Sequence, residues 1–227
     1  MKIKWLGHSS FLITSDAGTK IITDPYHTGG ALNYGEIQES AHIVTISHNH
    51  GDHNNVDTIE KLPKTEVPGK PIIVRGPLPP NLEHLSGIPI KALPTYHDNA
   101  GGKERGTNNI FCLDVDGIRV CHLGDLGHRL GDKQVAELGK VDILLAPVGG
   151  NYTIDAQVAT EVYAKIKPRV VIPMHYKNEK CSSFPVAGVE EFLKGKKDVS
   201  KPDASEVEFK KDKLPAATQI IVLKPAL

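Results

Sequence analysis

The stretch Ala41-His42-Ile43-Val44-Thr45-Ile46-Ser47-His48-Asn49-His50-Gly51-Asp52-His53 opens as a β-branched apolar run and ends in three imidazoles and a carboxylate within six residues. The run reads as a short buried strand, Ile43 to Ile46, that empties into a loop. Neutral imidazole nitrogens and carboxylate oxygens are the donors that zinc and neighbouring divalent ions prefer. Gly51 frees the backbone there, so the four side chains can fan out rather than follow helix or strand periodicity. A solvated His-rich turn is the competing reading, and the density of donors argues against it.

Working outward, the hexapeptide His48-Asn49-His50-Gly51-Asp52-His53 has the form His-x-His-x-Asp-His and resembles the signature of the metallo-β-lactamase superfamily. Trp5-Leu6-Gly7-His8-Ser9-Ser10-Phe11 and Thr23-Asp24-Pro25 are similar to the branch of L-ascorbate-6-phosphate lactonase-like proteins and metal-dependent hydrolases of unassigned substrate. The likeness runs from Lys2 to about Tyr176. It implies an α/β fold, an αββα four-layer sandwich, and further ligands in the order His, Asp, His. His97 in Pro94-Thr95-Tyr96-His97-Asp98, Asp125 in Leu123-Gly124-Asp125 and His175 in Pro173-Met174-His175 fill those places. Each follows a strand-like run, so a rigid scaffold would deliver each ligand to an open loop edge.

The resemblance also implies how the ligands divide. His48, His50 and His97 would hold one divalent ion, Asp52, His53 and His175 a second, and Asp125 would bridge them. In such sites the ions lie about 3.5–4 Å apart and share a hydroxide. Asp52 would double as the catalytic group that orients this nucleophile and carries a proton. Zinc-dependent β-lactamases commonly carry Cys where Asp125 stands, so β-lactam hydrolysis is not expected. Zinc heads the candidate metals, and manganese, iron and nickel suit the same donors. Four more residues are expected around the pocket. His8 is a substrate contact or a supplementary ligand near His48, against a plain turn histidine. Asp24 braces a ligand histidine; Asn108, in the loop Arg105 to Asn109 that the resemblance puts beside the site, orients ligands or substrate, against a plain loop; and His128 takes a substrate anion, against a solvent-facing role. His27, His42, His84 and His122 are read as structural or surface residues.

At 227 residues the chain is expected to form one domain, 1–227, with a full core of its own. Lys plus Arg and Asp plus Glu balance at 27 each, so no global field draws in nucleic acid or an anionic membrane. Lys194 to Lys197 and Lys210 to Lys213 read as solvated strips. Cys112, Cys121 and Cys181 form no CxxC pair, and reduced thiols in a cytoplasmic protein are expected. Neither a signal peptide nor a membrane span is read in the sequence.

Strands are expected over Lys2–Leu6, Phe11–Thr14, Lys20–Thr23, Pro71–Val74, Ile88–Leu93, Val141–Ala146, Arg169–Ile172, Glu206–Phe209 and Gln219–Leu223. Asn109–Val115 and Gly117–His122 form a hairpin turning at Asp116-Gly117. Helices are expected over Val56–Leu62, ended by Pro63, then Asp132–Leu138 with Asp132 as N-cap, Asp155–Ile166 and Val186–Leu193. Tyr26 to Ser40 reads as an irregular loop over the site, and it and Asn178 to Pro185 are the loops expected to set specificity. The pattern alone gives mixed α/β with much sheet.

The function expected is metal-dependent hydrolysis of an ester-like bond (phosphodiester, lactone or thioester) in a small substrate. A non-hydrolytic metal-binding or sensing protein of the same fold and an RNA-processing nuclease are the alternatives. Neutral net charge lowers the nuclease reading. Exposed sheet edges leave a homo-oligomer open.

Overall fold

The computed structural model describes residues 1–61, 67, 69–78 and 84–227. Strands β1 (Lys2–Gly7), β2 (Ser10–Thr14), β3 (Lys20–Thr23), β4 (Ile43–Ile46) and β5 (Ile72–Arg75) form one sheet with β13 (Glu206–Glu208), in the order β13-β1-β2-β3-β4-β5. The second sheet has the order β12-β14-β11-β10-β9-β8-β7-β6. It is built from β6 (His84–Leu85), β7 (Ile88–Tyr96), β8 (Thr107–Val115), β9 (Ile118–His122), β10 (Ile143–Pro147), β11 (Val170–Met174), β12 (Val199–Ser200) and β14 (Gln219–Ile221).

Period-two alternation explains why the first sheet has two buried faces. Ile3, Trp5, Phe11, Ile13, Ile21 and Ile43 join the core shared with the second sheet, whereas Leu6, Leu12, Ile22, Val44 and Ile46 join a cluster on the opposite face. The outer cluster is closed by Tyr26, Leu32, Tyr34 and Ile37 and by Ile59 of α1 (Val56–Lys61). The segment from Tyr26 to Ser40 is thus a packed outer layer and not a cover over the site, because its aromatic and aliphatic side chains are buried against the sheet. On the far side, every residue of β10 and β11 is buried, as parallel strands between layers require. Helices α2 (Asp132–Leu138), α3 (Ala156–Ile166) and α4 (Val189–Leu193) supply that outer layer, α3 through Ala159, Val162 and Ile166. The result is the metallo-β-lactamase fold, two facing sheets between helical layers.

Local signals hold in most places. Asp116 and Gly117 turn the β8–β9 hairpin at φ 52° and 74°. Asp155 caps α3 by accepting from Val158 N at 2.8 Å. The N-cap of α2 is Gly131 rather than Asp132, and Gln134 Oε1 takes the Gly131 N–H at 3.0 Å. Helix α4 begins three residues later than expected, at Val189 and not Val186, after Gly188 as N-cap. Strand β7 runs on to Tyr96, and the short β6 and β12 carry no sequence signal. Leu62 and Pro63 lie outside the described residues. Cys112 and Cys121 are direct cross-strand partners in the hairpin and form a disulfide, which corrects the expectation of three reduced thiols; Cys181 is free and buried.

One topological fact places the site. In the first sheet β1, β3 and β4 run the same way; in the second so do β7, β9, β10 and β11. Residues that follow these strands therefore collect at one edge of the sandwich, outside the carboxyl ends where open α/β sheets bind ligands.

Candidate metal centre

The loop after β4 carries His48, His50, Asp52 and His53, and His97, Asp125 and His175 follow β7, β9 and β11. Asp125 lies at the centre. Its Oδ2 is 3.2 Å from His53 Nε2, 3.3 Å from His175 Nε2, 3.4 Å from His97 Nε2 and 3.9 Å from His48 Nε2. Around it the donors form three groups at ligand spacing: His48, His50 and His97; His8, Asp52, His53 and His175; and, behind both, Asp24 with His48 and His53. His8 thus stands with the second set rather than near His48. Its Nε2 is 3.2 Å from Asp52 Oδ2, and its ring lies 4.3 Å from that of His175.

Backbone strain is concentrated here. His8, Asp24 and His175 adopt φ of 52°, 39° and 52°, a left-handed conformation that costs a non-glycine residue about 1–3 kcal/mol. The cost is met by specific bonds: the His8 carbonyl accepts from Trp5 Nε1 at 3.0 Å and from His175 N at 3.2 Å. Two chain reversals are thereby pinned together so that both imidazoles face Asp52 and Asp125.

A buried relay behind the cluster sets which ring nitrogen faces forward. Asp24 accepts from Ser47 N at 2.7 Å and from Ser47 Oγ, and its Oδ2 lies 2.9 Å from His53 Nδ1. Since Ser47 Oγ donates to Asp24, it accepts from His48 Nδ1 at 2.9 Å. His48 thus carries its proton on Nδ1 and turns a bare Nε2 towards Asp125, while His53 donates from Nδ1 to Asp24 and leaves Nε2 as the nitrogen that would face an ion. The Nε2 atoms of His48, His53 and His175 and Oδ1 of Asp125 are buried without hydrogen-bond partners. Buried polar atoms seldom go unpaired, and four converging orphans of ligand type fit divalent ions.

Electrostatics point the same way. Burial, with His53 adding to it, drives His48 from 6.5 down to about 3, and burial with His175 beside it drives His8 down to about 4. Both rings are neutral at pH 7, as ligands must be. Burial alone would raise the two carboxylates. The neighbouring His175 and His53 hold Asp125 well below the usual range, and the His8 hydrogen bond with His53 holds Asp52 below it too. His53 is pushed up instead, because Asp125, Asp24 and Asp52 outweigh its burial. Without an ion, a proton on His53 occupies part of the place that a cation would neutralise.

The remaining expected residues divide differently. Asp24 is fully buried behind the ligands and does not line the cleft. Asn108, expected to orient ligands or substrate, is also fully buried and does the first. Its Oδ1 accepts from Asp125 N at 2.9 Å and its amide donates to Thr95 Oγ1 at 2.8 Å and Leu123 O at 3.0 Å, so it fixes Asp125 and has no donor left for substrate. His128, expected to take an anion, points away. Its Nε2 accepts from Tyr96 N at 3.2 Å and its Nδ1 donates to Arg129 O at 2.8 Å. His122 is structural, donating to Ser9 O at 2.8 Å.

The cleft over the cluster measures about 310 Å³ and is lined by His50, Asp52, His97, Arg105, Asp125, Tyr152, His175 and Phe184. Tyr152 was not expected in the cleft, whereas Arg105 and Phe184 come from the two loops, Arg105 to Asn109 and Asn178 to Pro185, that were set beside the site and among the specificity loops without being singled out.

The model of the β-lactamase superfamily domain matches residues 2–175, which takes in the whole cluster. The chain belongs to the β-lactamase superfamily. A "UPF0173 metal-dependent hydrolase" from Carboxydothermus hydrogenoformans is 32% identical over 194 residues, covering 78% of this chain and 84% of that relative. Another from Methanosarcina barkeri is 30% identical over 251 residues, covering 99% and 96%. The crystal structure of a Thermotoga maritima protein, provisionally assigned as a Zn-dependent hydrolase of the metallo-β-lactamase superfamily, superposes with a TM-score of 0.76. Its identity is 33%, and the match covers 98% of this chain and 97% of that one. This chain is accordingly a metal-dependent hydrolase. Among its described residues no helix is long and apolar enough to cross a membrane.

Proposed function

We propose that the hydrolase cleaves an ester-like bond (phosphodiester, lactone or thioester) in a small substrate, with two divalent ions, zinc foremost. His48, His50 and His97 would hold one ion, Asp52, His53 and His175 the other, with Asp125 between them and His8 a further donor to the second. When bound, the ions supply Lewis acidity and bring the pKa of water towards neutrality.

The observation that carries this reading is the situation of Asp52. Of the two carboxylates of the cluster that line the cleft it is the more exposed, with 31% of its side chain accessible against 2% for Asp125. Held ionised by His8 and His53, it can accept a proton from the attacking water and return it to the leaving group. Asp125, buried and tied to Asn108, positions and does not titrate during turnover. The cleft volume suits a small molecule, and the neutral net charge gives no support to a nucleic-acid substrate.

The test is Asp52→Asn, assayed on a panel of lactones, thioesters and phosphodiesters with elemental analysis of the same samples. We expect turnover to drop by about 10²–10⁴-fold while two ions per chain remain. Unchanged turnover with the same ion content would remove Asp52 from the chemistry.

A further inference from the structure

The cleft wall opposite the ligands has a composition of its own. From His175 it continues through Phe184, whose ring centroid is 5.5 Å away, to Tyr152 at 5.3 Å from Phe184, and on to Arg105, whose guanidinium carbon lies 5.7 Å from the centre of the Tyr152 ring. Two aromatic rings thus lead from the metal ligands to a cation. Among the described residues lining the cleft, Arg105 is the one Lys or Arg.

Arg105 is held there by a rigid device. Asp98, next to the ligand His97, accepts from the backbone N–H groups of Ala100, Gly102, Glu104 and Arg105 at 2.8–2.9 Å. The loop is closed at its base where His97 N donates to Gly106 O at 3.0 Å. One carboxylate therefore fixes a metal ligand and a cleft cation on a single loop. The guanidinium itself stays available. The partner recorded for it is Glu104 at 3.6 Å, a side chain 65% exposed, and ion pairs in that setting are weak. A guanidinium over an aromatic face, with its fork free, is suited to bidentate capture of a carboxylate or phosphate.

We propose that Arg105 is the specificity-determining residue of the cleft: the substrate bears a carboxylate or phosphate, separated from its scissile bond by a spacer that lies on Phe184 and Tyr152. This rests on the hydrolase reading above, since the scissile end must sit at the ions. Arg105 anchors the far end and takes no part in bond cleavage.

The test uses metal-loaded protein and non-hydrolysable probes, so it does not depend on finding a substrate. Calorimetry compares butyrate with malonate, succinate and glutarate, one carboxylate reaching the ions and the second reaching Arg105 if the spacer fits. We expect one dicarboxylate to bind about tenfold or more tighter than butyrate. That preference should vanish in Arg105→Met and return in part in Arg105→Lys, with ion content unchanged in both. Adding 3-phosphonopropionate tells the sources apart: tighter binding than succinate that depends on Arg105 assigns a phosphate-bearing substrate, and weaker binding a carboxylate. No dicarboxylate preference in the wild type, or one that survives Arg105→Met, overturns the proposal. Failure of the hydrolase reading would show separately, as absent ester turnover or as Asp52→Asn without effect.

Discussion

Asp24 is a single buried carboxylate that controls two ligands. It takes the Nδ1 proton of His53 directly and that of His48 through Ser47, so its removal frees both rings to turn or change tautomer. Loss of such a partner typically costs 10–100-fold in metal affinity, and Asp24→Ala is expected to weaken binding by about that factor in chelator competition. His8 gives a sharper test of ion number. If it donates to the second set, His8→Ala should lower the ion content per chain below that of the wild type, read by elemental analysis. An unchanged content would make His8 a neighbour of Asp52 and nothing more. At this scale the sequence was informative where chemistry forces residues to cluster: imidazoles and carboxylates at strand ends stand out because few other roles need them there. For Asn108 the sequence left ligand and substrate open, and for His128 it favoured an anion that the ring does not face, because both roles depend on side-chain direction, which a loop sequence does not encode. The loop that Arg105 opens was expected beside the site, but the role of Arg105 itself was not legible, because its place is fixed by backbone bonds to Asp98 that no sequence pattern reveals.

Elements bring these residues together only where backbones approach closely. At Gly127, a Cβ would stand 2.3 Å from Asp98 N and from the His97 carbonyl carbon. Neither atom can move without shifting the His97 ligand or the Arg105 loop, and Gly127 N also donates to Tyr96 O at 2.9 Å. Gly127→Ala is expected to lower stability by about 2–4 kcal/mol and to reduce ion content, measured by urea unfolding and elemental analysis. A tolerated alanine would mean that the Asp125–Leu126–Gly127 turn is looser than its packing. The β8–β9 hairpin makes a different prediction. Alkylation without reductant, read by mass, should label one thiol, Cys181, and only after unfolding; three labelled thiols would mean that the Cys112–Cys121 bond does not form where the protein resides. The hairpin turn was legible from Asp116-Gly117, but the pairing was not, because it depends on register: a slip of one residue would separate the two sulfurs.

For the whole molecule, the design implies a fold held partly by its ions. The alternation of Ile3, Trp5, Phe11, Ile13 and Ile21 on one face with Leu6, Leu12 and Ile22 on the other writes both buried faces into the strands, whereas the closing of the outer face by Tyr26 to Ile37 followed from packing alone. Between the sheets' edges the cluster gathers histidines whose pKa values are displaced chiefly by burial. His8 falls to about 4 and His48 to about 3 from 6.5, and His97 and His122 are also lowered. In the metal-free protein, the unfolded chain takes up protons near pH 6.5 at these positions and the folded chain does not. Their contribution to stability is therefore complete above about pH 6.5 and is lost as pH falls towards 4 and below. His53, raised above 6.5, acts with the opposite sign: its contribution is present below pH 6.5 and is lost as pH rises through its folded pKa. The lowered groups, His8 and His48 foremost, set the sign between pH 7.5 and 5, and the metal-free protein is expected to lose stability over that interval. Urea unfolding of chelator-treated protein at the two pH values measures it. Adding zinc at about a thousandfold excess over its dissociation constant should then restore about 4 kcal/mol at pH 7.5. The restoration should be smaller at pH 5, where protons compete for the same imidazoles. A metal-free protein that gained stability on acidification would show that His53 dominates the cluster and that the ion-free site is built around its positive charge.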